Sequence, residues 1–211
     1  MQRPLKYIAV DGPIGAGKTT LVKMLAEDLG GHAIFEPVEK NPFLPDFYKD
    51  PKRNAFKTQL FFLLNRYQQQ MELKQHDLFY PLIICDYTFI KDAIFAEINL
   101  SDDEMHLYHA VFQLLSQKLP SPDLVIYLRA DSGVLMQRVK KRGYGFEKPI
   151  TEEYLEQITD AYNRHFLNYS QTPLLVVDTS SINYESNPED YAQLKRAILN
   201  HRGGTMHVIQ R

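Results

Sequence analysis

The sequence predicts an α/β fold in three layers, a five-stranded parallel sheet with helices on both faces. Three observations predict it. Five short apolar runs rich in β-branched residues recur along the chain, helical patterns fill the intervals between them, and a glycine-rich turn joins the first run to the first helix. Strands that alternate with helices pair in parallel, because each helix carries the chain back to the edge from which the previous strand left.

The first run covers residues 7–10, Tyr-Ile-Ala-Val. Directly after Asp11 comes Gly12-Pro13-Ile14-Gly15-Ala16-Gly17-Lys18-Thr19-Thr20, which contains Gly-x-x-x-x-Gly-Lys-Thr from Gly12 to Thr19. A strand before and a helix after this spacing make a phosphate cradle: successive backbone N–H groups surround a polyphosphate, Lys18 neutralises its outer oxygens, and Thr19 is a ligand for Mg²⁺. The expected fold is therefore of the P-loop NTPase type, and the expected ligand is a nucleoside triphosphate. The helix over residues 18–29 places Leu21, Leu25 and Leu29 on one face.

The second run, residues 33–35, ends at Glu36-Pro37. A carboxylate there lies on the same sheet edge as the phosphate loop and is a candidate general base for an acceptor hydroxyl; a solvated loop glutamate before a proline turn is the other reading. Residues 54–74 form a long helical pattern with Phe56, Leu60, Leu63, Leu64, Tyr67 and Met71 near one face. The aromatic residues from Phe43 to Tyr67 serve as core, or some of them as a stacking surface for a nucleobase. The third run, residues 82–85, ends at Asp86, an acid placed to hold Mg²⁺ or, alternatively, to cap a turn. Cys85 is read as core.

Ser101 before Asp102, Asp103 and Glu104 signals the start of a helix reaching to about residue 118. His106 and His109 lie three apart on it, but no further ligand completes a zinc site. The fourth run, residues 124–128, precedes a helix over 132–141 that carries Arg138, with Arg142 four positions on and on the same face. With Gly143-Tyr144-Gly145 next, residues 138–150 are read as an arginine-bearing lid that closes on a triphosphate; a solvated basic helix end is the plainer alternative. A helix over 152–166, a fifth run at 174–177 and a helix over 188–200 complete the pattern, and residues 202–211 carry few apolar anchors and are expected to fray.

The 211 residues suffice for one core, so residues 1–211 are read as a single domain. A net charge of −2 with no long basic run gives no broad surface for nucleic acid. No apolar stretch approaches the roughly 20 residues of a membrane helix. The first residues lack the apolar core of a signal peptide. The single cysteine rules out an intramolecular disulfide. Together these features give a cytoplasmic expectation with no membrane partner.

Several strings in this chain are more specific than the phosphate loop. Glu36-Pro37, Tyr48-Lys-Asp-Pro-Lys-Arg53, Gln59, Leu60 to Arg66 and the segment from Asp86 to Asp92 stand in an order and spacing that resembles the deoxyribonucleoside kinases, over a stretch from the phosphate loop to about residue 166. The resemblance implies transfer of the γ-phosphoryl of ATP to the 5′-hydroxyl of a deoxyribonucleoside, with Mg²⁺, in nucleoside salvage. It implies that Glu36 removes the hydroxyl proton, that Gln59 pairs with the nucleobase, and that Arg66 and Asp92 form the pair found in members acting on purines and cytosine. Tyr48 and Glu147 match residues that contact the sugar 3′-hydroxyl, and Lys18, Arg138 and Arg142 match the cations that act on the phosphates. Thr19 and Asp86 would hold the metal. Relatives are commonly homodimers through helices like residues 54–74 and 102–118. The chain departs from the pattern twice: Tyr87 stands where an arginine usually follows the strand-end acid, and Tyr144 replaces a third lid arginine. Lys91 and Arg129 are the candidate replacements. A thymidylate-type nucleoside monophosphate kinase and a nucleotide-binding module without transfer remain as rivals at this point.

Overall fold

The computed structural model describes residues 4–76 and 79–208. Its sheet is built from β1 (Tyr7–Asp11), β2 (His32–Ile34), β3 (Ile83–Cys85), β4 (Leu124–Arg129), β5 (Leu174–Asp178) and β6 (Thr205–Val208). All pairings are parallel and the order is β2-β3-β1-β4-β5-β6. The helices are α1 (Lys18–Leu29), α2 (Leu44–Lys49), α3 (Pro51–His76), α4 (Lys91–Asn99), α5 (Asp102–Ser116), α6 (Ser132–Arg142), α7 (Glu152–Leu167) and α8 (Pro188–Asn200).

Alternate strand residues face opposite layers, as the pleat requires. Ile8, Val10, Ile84, Leu124, Ile126, Leu128, Leu175 and Val177 pack with Leu21, Val22 and Leu25 of α1, Leu135 and Val139 of α6, and Leu194 and Ile198 of α8. Their neighbours Val125, Tyr127, Leu174 and Val176 meet Ile94 of α4 and Ile158, Tyr162 and Phe166 of α7. Tyr7, Ala9, Ile83 and Cys85 meet Leu73 of α3 on that same side. Burial on both faces is why these strands read as continuous apolar runs rather than as alternating ones. α5 lies outside this sandwich, joined to α3 and α4 through Leu63, Ala96 and Tyr108.

The sheet has six strands where the sequence led us to expect five. β6 pairs with β5 from Leu174↔Thr205 to Val177↔Val208, in the stretch expected to fray. Its side chains are exposed except Val208, so backbone hydrogen bonds rather than apolar anchors hold it, and apolar spacing carried no trace of it. Residues 209–211 lie outside the described residues. α1 and α8 have the expected bounds, α5 begins at Ser101 with a capping box to Glu104, and α3 starts three residues early, at Pro51.

The order places β1 between β3 and β4, so the chain leaves the sheet in opposite directions on either side of it. The crevice at the C-terminal ends of the strands at such a reversal is the general ligand position of open parallel sheets. Asp11, Glu36 and Asp86 all emerge at that edge.

Candidate active site

The phosphate loop follows β1 without a break. A Cβ on Gly12 would lie 2.2 Å from the carbonyl oxygen of Leu128, so only glycine lets the loop leave the sheet here. Gly17 adopts φ 98°, a left-handed conformation, and starts α1, whose free N–H groups face the loop. Asp11 anchors the loop from below. One carboxylate oxygen accepts from Gly12 N at 2.7 Å and from the Tyr162 hydroxyl at 2.9 Å, and the other accepts from the backbone N–H and hydroxyl of Thr88. Lys18 Nζ donates to the carbonyls of Gly12 and Pro13, each at 2.8 Å. Burial pushes its pKa down to about 7, helped by repulsion from Lys91.

A cleft of about 960 Å³ opens over this loop, with room for two ligands side by side. Ile14, Gly15, Gly17, Lys18, Thr19 and Thr20 line its donor end, whereas Gly12, Pro13 and Ala16 shape the loop from behind. Thr19 Oγ1 donates to Asp86 Oδ2 at 3.0 Å, and Asp86 Oδ1 accepts from the Glu36 backbone N–H at 2.8 Å. One carboxylate thus ties the start of α1 to the segment after β2. Burial raises the Asp86 pKa despite the nearby cations.

Glu36, Tyr48, Gln59, Arg66 and Glu147 all line the same cleft. Their core is a run of ion pairs: Asp92 with Arg66, Arg66 with Glu36, and Glu36 with Lys91. Burial alone would push Glu36 up, but the Arg66 and Lys91 charges outweigh it and hold the carboxyl at about 2. Asp92 does not line the cleft. It is fully buried behind Gln59 and Arg66 and accepts from Gln59 Nε2 at 2.7 Å and from the Tyr108 hydroxyl at 2.8 Å, in addition to Arg66. The resemblance counts Asp92 among the substrate-binding residues; in the structure it lies behind the cleft wall, in contact with Gln59 and Arg66, which line it. Because Asp92 offers only acceptors, the amide of Gln59 turns its NH₂ inward and its carbonyl is the atom left for a ligand. Arg66 Nε is buried with no hydrogen-bond partner among the described residues.

Of the aromatic residues between 43 and 67, Phe47, Tyr48 and Phe62 reach the cleft, and Phe35, Phe95 and Tyr154 join them there. Tyr48 stacks on Phe146, which stacks on Tyr144. Tyr144 therefore belongs to an aromatic ladder rather than to a phosphate clamp. Arg138 donates to the carbonyl of Thr179 at 2.6 Å and to its hydroxyl at 2.8 Å, next to the loop. Arg142 pairs with Glu147 at 2.5 Å and lies over the Tyr144 ring. Tyr87 is buried and donates to Gln69 Oε1 at 2.8 Å, away from the cleft. Arg129 is no replacement cation here: it pairs with Asp178 at 3.0 Å and does not line the cleft. The sequence reading also missed residues 179–186, which wall the donor end. Tyr184 there donates to the carbonyl of Gly17 at 3.0 Å. No motif marks that segment; its only signal is its place between a strand end and a helix start.

The family model described as deoxynucleoside kinase matches residues 8–201. The deoxyguanosine kinase of Bacillus subtilis (strain 168) is 38% identical over 193 residues, which cover 89% of this chain and 93% of that one. The deoxyadenosine kinase of Dictyostelium discoideum is 34% identical over 197 residues, covering 90% and 78%. Among solved structures, that of deoxyadenosine kinase from M. mycoides with bound dATP is similar with a TM-score of 0.78 at 31% identity, covering 90% of this chain and 99% of that one.

Proposed function

The chain belongs to the deoxynucleoside kinase family, and from that premise we propose how its residues divide the work and which nucleoside it takes. It is a phosphotransferase acting on deoxyribonucleosides. In our reading ATP is the donor, with its triphosphate on residues 12–20 and its base against residues 179–186. Thr19 and Asp86 would hold Mg²⁺: a hydroxyl and a carboxylate 3.0 Å apart offer the hard oxygen donors that this ion prefers. An ion held there would supply positive charge against the charge that builds on the transferring phosphoryl group.

The acceptor lies across the cleft, with its 5′-hydroxyl at Glu36 and its base at Gln59 and Arg66. Tyr48 and Glu147, the latter held by Arg142, meet the sugar. Arg138, beside the loop, meets the phosphates. The observation that carries this reading is the unbroken series Asp92–Arg66–Glu36–Lys91, which runs from behind the base-reading end of the cleft to a cation within electrostatic reach of Lys18 of the phosphate loop. A base that donates to the Gln59 carbonyl and accepts from Arg66 satisfies both groups. Guanine does so through N1–H and O6, and adenine through N6–H and N1. The likeness to the Bacillus subtilis deoxyguanosine kinase decides between them, so we assign deoxyguanosine first and deoxyadenosine second. A homodimer in the cytoplasm completes the proposal, motivated by the exposed leucines of α5.

The test is ATP/Mg²⁺ turnover of deoxyguanosine, deoxyadenosine, deoxycytidine and thymidine, by the native chain and by Glu36→Gln. Loss of a general base lowers kcat by roughly 10²- to 10⁴-fold, with purines preferred in the native enzyme. Full activity of Glu36→Gln, or turnover of thymidine above the purines, overturns the reading.

A further inference from the structure

Glu36 is held by two cations that are not equivalent. Arg66 touches Oε1 and is itself pinned from behind by Asp92, so it cannot leave without stranding a fully buried carboxylate. Lys91 touches Oε2 from the opposite side, at the first residue of α4. No second carboxylate holds it. Its ammonium has three N–H donors, and Glu36 is its only hydrogen-bond partner among the described residues. The side chain is nine-tenths buried and lies within the cleft wall.

The surroundings fix where that charge sits. Lys91 is close enough to Lys18 to disfavour its protonation, and it attracts both Glu36 and Asp86. It lines the same cleft as Lys18 of the phosphate loop, Asp86 and Glu36, within electrostatic reach of all three. Two buried ammonium groups repelling each other across a cleft form a site that is incomplete without an anion between them. The position directly after Asp86, where the resemblance leads one to expect an arginine, is occupied by the buried Tyr87, which contributes no cation.

We propose that Lys91 is a catalytic cation of this enzyme, holding Glu36 beside the acceptor hydroxyl and presenting its remaining N–H donors to the oxygens of the phosphoryl group in transfer. In the step it serves, the bond from the 5′-oxygen to the γ-phosphorus forms while the bond from that phosphorus to the ADP oxygen breaks. The hydroxyl proton passes to Glu36, and the electron pair of the broken bond leaves with ADP. Lys91 gives up no proton; it follows the charge from the carboxylate to the phosphoryl oxygens. This inference rests on Glu36 being the base, so both are tested together.

The experiment compares Lys91→Gln, Lys91→Arg and Glu36→Gln with the native chain in steady-state turnover of deoxyguanosine with ATP/Mg²⁺. Lys91→Met is a second neutral variant should Lys91→Gln fail to fold, and thermal unfolding checks each protein. The expected result is a fall in kcat of about 10²- to 10³-fold for the neutral variant, the scale for losing one donor at developing charge. The KM for deoxyguanosine should stay within about 3-fold, since Lys91 makes its contact at the reacting end. Lys91→Arg should keep kcat within about 10-fold of native, because it retains the charge. The inference is overturned by a neutral variant with kcat within about 3-fold of native, by a loss expressed only in KM, or by an arginine variant as slow as the neutral one. If Glu36→Gln falls and Lys91→Gln does not, the inference alone fails; if Glu36→Gln is fully active, the base assignment fails with it.

Discussion

Arg66 is the residue on which the acceptor half of the cleft turns. It is buried and pairs with Glu36 on one side and Asp92 on the other, so its removal leaves Asp92 buried without a cation and Glu36 with Lys91 alone. Arg66→Met is expected to cost about 3–5 kcal/mol of stability, the range for breaking a buried pair by deleting one partner, read from urea unfolding. A loss under about 1 kcal/mol would mean that water already screens the network. Cys85 gives a second expectation. It is fully buried on β3, and burial pushes its thiol well above the ordinary range, so little thiolate exists at neutral pH. A disulfide reagent should leave the native protein untouched and titrate one thiol in denaturant; rapid labelling of the native state would contradict the packing. Glu36, Gln59 and Arg66 were legible in the sequence because each belongs to a short string whose spacing is fixed by one helix or one strand end. Asp92 was visible as a partner but not as a residue behind the cleft wall, since depth depends on α5 covering α4, a contact between segments that sequence spacing does not encode. Lys91 and Arg129 looked alike as spare cations; only the sheet order, which sends Arg129 to Asp178 and Lys91 to Glu36, separates them.

At the scale of elements, legibility follows how much apolar surface each one buries. The central strands, α1 and α8 show in the sequence because their leucines, isoleucines and valines make the core, whereas α3 buries mainly polar residues such as Thr58, Gln59, Arg66 and Gln70 and leaves Leu64 of its expected apolar face exposed. β6 and α2 do not show: one is held by backbone pairing at a sheet edge, and the other is six residues long, too short to display a period. α4 did carry a signal in Ile90, Ile94 and Ile98, which recur every four residues and were passed over beside the acidic residues of the same segment. α7 shows how an element also sets a response to pH. His165, near its end, packs against Phe166 and Tyr169 with Nε2 buried and unpartnered among the described residues. Burial lowers its pKa, so the unfolded chain takes up a proton at a higher pH than the native one does. Its neutral form favours folding above the unfolded value of about 6.5, and that stability is lost as pH falls below it. The thermal midpoint should drop between about pH 7 and 5.5, and His165→Gln should flatten that slope. Equal slopes in the two proteins would place the titrating group elsewhere.

The whole molecule joins the nucleobase end of the cleft to its outer surface through one helix. α5 presents Leu107 and Leu114, seven residues apart and so on one face, at 56% and 70% exposure. Leu64 of the adjoining α3 is 48% exposed. Large apolar side chains clustered on neighbouring helices are the mark of a surface that meets a partner, and a second copy of the chain satisfies it with the same patch on both sides. Light scattering is expected to give twice the chain mass at micromolar concentration, and Leu107→Glu with Leu114→Glu to give the chain mass. The consequence reaches the site because Tyr108, one residue from Leu107, donates to Asp92, which aims Gln59 and Arg66. A second copy against α5 would stiffen that series from outside, and ordering supplied by such a dimer would be ordering the nucleoside does not have to supply. The monomeric variant should therefore show a KM for deoxyguanosine raised several-fold, on the order of 1 kcal/mol of lost ordering, while the KM for ATP stays near native because residues 12–20 rest on β1 and α1. Equal KM values for the nucleoside in dimer and monomer would show that Asp92 holds its two partners without help from the outer face, and a native chain that scatters as a monomer would leave the leucines of α5 to some other contact.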